Sequence, residues 1–100
     1  MRRIVERKNE VAGLNAQAQS QQKAIDQIFT DQGRLRENMK ALKGSAEEKA
    51  LLQRYTRQLD DEETQIDGLR KTMKETESRK DQANAELAKM IAELDLDVAL

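Results

Sequence analysis

The chain has 100 residues, of which 37% are charged and 37% apolar, with one Phe, one Tyr, no Trp and a net charge of −1. This composition argues against a globule with a large core, and near-neutrality argues against nucleic acid as the main partner. Cys, His and Pro are all absent, so there is no disulfide framework, no usual zinc ligand and nothing to break a long helix.

No apolar run approaches the roughly 18 residues of a membrane span. The opening MRRIVERKNEV carries charges where a signal peptide has its apolar centre. From Ile4 a seam runs through Arg7, Val11, Leu14, Ala18, Gln21, Ile25, Ile28, Gln32, Leu35, Met39 and Leu42. Its steps alternate between three and four, which is a heptad repeat and predicts a first helix over about 2–43.

The repeat stops at Lys43-Gly44-Ser45-Ala46-Glu47-Glu48. Gly44 suits the left-handed residue that closes a helix, and Lys43 places a cation at the helix C-terminus. Ser45 followed three residues later by Glu48 is a capping box that opens the next helix. With a turn of only residues 44–45, the chain must return antiparallel.

The second seam reads Leu52, Tyr55, Leu59, Glu62, Ile66, Leu69, Met73, Thr76, Lys80, Ala83, Leu87, Met90 and Leu94. It predicts a helix over about 46–95, with residues 96–100 as a frayed tail. The register follows from symmetry about the turn, because the apolar residues fall into couples whose numbers add to 94. Leu42 goes with Leu52, Met39 with Tyr55, Leu35 with Leu59, Ile28 with Ile66, Ile25 with Leu69, and Ile4 with Met90. The fold class expected is therefore all-α, two long helices in an antiparallel coiled-coil hairpin. At about 1.5 Å per residue the first helix would span roughly 60 Å. So thin a core points to dimerisation into a four-helix assembly, or to support from other parts of a larger protein.

Gln32 and Glu62 share one layer, and a polar couple there would fix register as single polar seam residues do in coiled coils. Lower layers pair Leu14 with Lys80 and Arg7 with Leu87, where the long stems would lie on the seam and send their charges to water. The run Asp60-Asp61-Glu62-Glu63 points its carboxylates in four directions and reads as a solvated face, not as a cation site. The basic set Arg2, Arg3, Arg7, Lys8, Arg34, Arg36, Lys40 and Lys43 has no interleaved aromatics and is punctuated by acids, unlike a nucleic-acid stripe. Residues 1–43 carry nine Lys/Arg against five Asp/Glu, and residues 44–100 nine against fourteen, so the two halves attract.

Nothing here supports catalysis. There is no glycine-rich phosphate loop, and the few Ser and Thr have no visible base. No enzyme activity, cofactor, metal or small-molecule substrate is expected. Val5, Phe29 and Ile91 lie off the seam, with Val5 and Ile91 beside the Ile4–Met90 layer, and are the candidate docking residues.

The segment Asp31-Gln32-Gly33-Arg34-Leu35-Arg36-Glu37-Asn38-Met39-Lys40-Ala41-Leu42, the turn Gly44-Ser45-Ala46-Glu47-Glu48-Lys49, and Arg54-Tyr55 through Gln58-Leu59 to Glu63 resemble a known hairpin. It is the C-terminal helical tail of a family of bacterial domains of unknown function, where it follows a β-rich region. The resemblance covers about residues 1–95 and implies that this chain is part of a longer, exported protein; a complete gene product of this length would instead be cytoplasmic. Small secreted helical hairpins are also similar, but they carry Trp-x-Gly where this turn reads Leu42-Lys43-Gly44. The function expected is a non-catalytic spacer or oligomerisation module whose partner is protein, either a second copy or the rest of its own chain. The alternative is a stand-alone hairpin, secreted or chaperone-like, that grips a partner at its open end.

Overall fold

A computed structural model describes residues 2–99 and the side chains of residues 2–94. It contains two helices, α1 over Arg2–Lys40 and α2 over Ala46–Ala99, and no strand among the described residues. The helices pair antiparallel, as the hairpin expectation requires. In three polar contacts across the helices, the residue numbers add to within one of 94. Arg7 meets Glu86, Asp31 meets Glu62, and Gln32 meets Glu63.

The helix ends differ from the expected ones. α1 stops at Lys40, not Lys43, because Ala41 and Leu42 donate to the carbonyls of Asn38 and Met39, three residues back, at 3.3 and 3.2 Å. Such bonds tighten the last turn and end the α-helical ladder early. The return is therefore residues 41–45, longer than the two residues expected. Gly44 takes φ +93°, a left-handed conformation that costs an L-residue roughly 1–2 kcal/mol. Ser45 Oγ accepts from the Glu48 amide at 3.1 Å, and Glu48 Oε1 accepts from the Ser45 amide at 3.2 Å. Glu48 Oε2 also takes the Lys43 amide at 2.6 Å, so one carboxylate ties down both sides of Gly44. Those hydrogen bonds hold the Glu48 carboxyl below its ordinary value, with the Lys43 amide the largest cause.

At its other end α2 continues to Ala99, past the expected fraying near Asp95. The last residue of the expected tail, Leu100, lies outside the described residues.

The chain divides into two compact units. The turn unit is built from residues 21–71, and the other joins α1 through Ser20 to α2 from Thr72 onward. In the turn unit Ile25, Gln32, Leu35 and Ile66 are buried, with Leu35 fully enclosed. Ile28, Met39, Leu42, Tyr55, Leu59 and Leu69 are half-buried around them. Leu52, expected on the seam, is exposed, and Leu51 is half-buried in its place. The seam steps back from Tyr55 by four residues, not three; positions three and four before Tyr55 both flank its face of the helix.

In the second unit the buried residues are Leu14, Ala18, Thr76 and Ala83. Three of these four are small, and Thr76 satisfies its hydroxyl within α2 by donating to the Thr72 carbonyl at 3.0 Å. Ile4, Val11, Met73, Leu87 and Met90 are half-buried, whereas Leu94 is exposed.

Gly33 sits on an exposed helical face, and a Cβ built there meets nothing within 4 Å. Gly33→Ala should therefore raise stability by ~0.5–1 kcal/mol, while Gly44→Ala should lower it by ~1–2 kcal/mol. Leu35→Ala should cost ~2–5 kcal/mol and Leu52→Ala under about 0.5 kcal/mol. Urea denaturation followed by circular dichroism reads all four, and equal losses at Leu35 and Leu52 would contradict the seam described here.

Candidate functional site

The densest cross-helix polar contacts lie in the turn unit, one layer from the buried Leu35. Heptad spacing brings Gln32 onto the seam of α1, where it is only 1% exposed. Its amide cannot reach water, so it needs a partner from α2. That partner is Glu63, whose Oε1 accepts from Gln32 Nε2 at 2.8 Å. The expected couple was Gln32 with Glu62. Glu63 serves instead because it is exposed, and can accept the buried amide while the rest of its charge stays hydrated.

Glu62 faces a different residue, Asp31, which is half-buried at the edge of the same layer. The two carboxyl groups lie within hydrogen-bond reach across the helices. On the α1 side Arg34 Nε and Nη2 both approach Asp31 Oδ1 at 2.9 Å, one helical turn away. The Asp31 carboxyl is held below its ordinary range by the hydrogen bond from Glu62, then by Arg34. Arg34 is correspondingly held further toward its charged form, chiefly by Asp31. Burial pushes the Glu62 carboxyl the other way, to about 7, with the Asp31 contact and charge adding to it and Arg34 opposing. Glu62 Oε1 is fully enclosed and no donor among the described residues reaches it. Asp60 and Asp61, the other half of the acidic run, are exposed.

Two long seam cations are also tied down. Arg7, expected to send its charge to water, instead bridges Glu10 at 2.7 Å and Glu86 of α2 at 3.0 Å. Lys80 pairs with Glu77 at 2.9 Å, which raises its pKa. Elsewhere Arg2 approaches Glu6 at 3.8 Å and Lys40 pairs with Glu37 at 3.0 Å.

The expected docking residues separate into two groups. Val5 and Ile91 are exposed in the unit that holds the open end, with Leu94, three residues past Ile91, also exposed. Phe29 is also exposed, but the Arg70 guanidinium lies 5.7 Å from its ring centroid, so α2 itself supplies a neighbour to that ring. Among the described residues no group of three or more His, Cys, Asp or Glu is placed to hold a metal ion. No helix among the described residues is long and apolar enough to cross a membrane.

No protein-family model, curated protein or solved structure matches the chain.

Sequence periodicity located Gln32 and Glu62 but missed Asp31, Arg34 and Glu63. Their signal is present in retrospect, since Asp31 and Arg34 are three residues apart on one face and Asp31 flanks the seam. Removing Glu63 leaves the buried Gln32 amide without an acceptor, so Glu63→Ala should cost ~1–3 kcal/mol. Adding Gln32→Leu should recover most or all of that loss, because the layer then has no amide to satisfy. A urea double-mutant cycle measures the coupling, and simple additivity of the two changes would mean that the bond contributes nothing.

Proposed function

We propose that the chain is a non-catalytic spacer and self-association module, part of a larger bacterial protein of the kind its sequence resembles. The observation that carries this reading is the use of the apolar residues. Apart from Val5, Phe29, Leu52, Ile91 and Leu94, the large apolar side chains described are spent on pairing α1 with α2. The polar residues between them tie the same two helices together. A hairpin of this kind holds two chain ends at a set separation and offers its exposed apolar residues to a protein surface.

Self-association is supported by Val5, Ile91 and Leu94, which add exposed apolar area to the unit whose buried residues are mostly small. The same residues favour the alternative, a stand-alone hairpin that grips another protein at its open end.

Sedimentation equilibrium distinguishes the two. The spacer reading expects a homodimer that Val5→Glu with Ile91→Glu converts to monomer without loss of helix. A monomer at every concentration, melting cooperatively and independently of concentration, would remove self-association and leave the partner-binding hairpin. An antibody to this segment, used on a denaturing gel of source cells, should detect a band well above 11.4 kDa. A band at that mass would rule out the larger protein.

A further inference from the structure

We propose that Asp31 and Glu62 form a proton-binding clasp, in which one proton held between the two carboxyl groups ties α1 to α2 and its release loosens that layer.

The geometry favours a shared proton. Glu62 has one oxygen fully enclosed with no donor among the described residues, and its neighbour across the helices is another carboxyl group. Two carboxylates at hydrogen-bond reach repel, whereas a carboxylic acid beside a carboxylate makes a short, charge-assisted hydrogen bond. Arg34 decides which partner keeps the negative charge. Its guanidinium sits on Asp31 Oδ1, so Asp31 is the carboxylate and Glu62 the acid that donates to it.

The charged and titratable groups bearing on Glu62 are Asp31 and Arg34, both from α1. From α2, Tyr55 bears on Arg34, and Glu63 is occupied by Gln32. Among the described residues, no cation of α2 is one of the groups acting on Glu62.

The direction of the pH dependence follows from the two shifts. The Glu62 carboxyl is raised from 4.5 to about 7 in the folded chain. Its contribution is complete below 4.5, declines as pH rises, and is gone once pH passes about 7. Asp31 is lowered from 3.8, so its contribution is present above that value and is lost as pH falls through the lowered one. Stability should therefore be highest in mildly acidic solution and fall toward neutrality. Carboxylates of the Glu48 kind, lowered by folding, give the opposite slope. The chain has no His and no Cys, so no other side chain ordinarily titrates between about pH 5 and 8.

The test is a series of thermal melts of the full chain from pH 5 to 8, with carboxyl-carbon NMR of Glu62 over the same range. The clasp expects a Tm that declines from pH 5 to about 7 and then levels, no such decline in Glu62→Gln, and a Glu62 midpoint near 7. Burial, the largest cause of the raised value, remains in Asp31→Asn, but loss of the accepting carboxylate should lower that midpoint part of the way. A wild-type Glu62 midpoint in the ordinary carboxylate range would overturn the proposal, and this reading stands even if neither variant folds. A raised midpoint that Asp31→Asn leaves unmoved would also overturn it, since burial alone would then hold the proton.

Discussion

Glu48 reaches back from the first turn of α2 to accept the amides of both Lys43 and Ser45, while Gly44 between them holds a positive φ. That small network sets the offset between the two helices. Residues along an α-helix are about 100° apart in projection, so a one-residue change in offset or phase would turn a seam residue toward solvent. The enclosure of Leu35, the Gln32–Glu63 bond and the meeting of Asp31 with Glu62 all presuppose this one register.

Packing chemistry differs between the two units, each taken by itself. In the turn unit branched aliphatic side chains are enclosed, and burial of that kind contributes roughly 25 cal/mol per Å² of apolar area. In the other unit Ala18, Thr76 and Ala83 bury little area each, and long cations on or beside the seam are neutralised by neighbouring acids. Such partly exposed pairs contribute up to about 1 kcal/mol each, so they position helices more than they hold them. Among these, the Arg7–Glu86 contact crosses between helices and selects the same register as the turn.

The polar layer shows why a seam can carry charge without losing its specificity. Gln32 is satisfied by an acceptor that remains hydrated, and Asp31 by a guanidinium one turn along its own helix. Glu62 has neither remedy, because it combines enclosure with an acidic neighbour. How firmly, and under what conditions, two such helices are held together depends on a few side chains. The side chains that answer this are the ones where burial and charge conflict.

Heptad spacing and the Gly44-Ser45-Glu48 signals made the hairpin, its antiparallel sense and nearly all of its seam legible in the sequence. They did so because helical periodicity, capping and turn conformation are local properties, each decided within a few residues. The exceptions are Leu52 and Leu94, exposed at the two ends of the second seam. Only the tertiary structure decided that α1 stops at Lys40, that Gln32 reaches Glu63 and Glu62 reaches Asp31, that Arg7 spans to Glu86, and that Arg70 lies over Phe29. Each of these depends on the phase of one helix against the other and on how far a flexible side chain extends across the gap. Periodicity places a residue on a face, but which opposing group it meets is settled only when both backbones are in position.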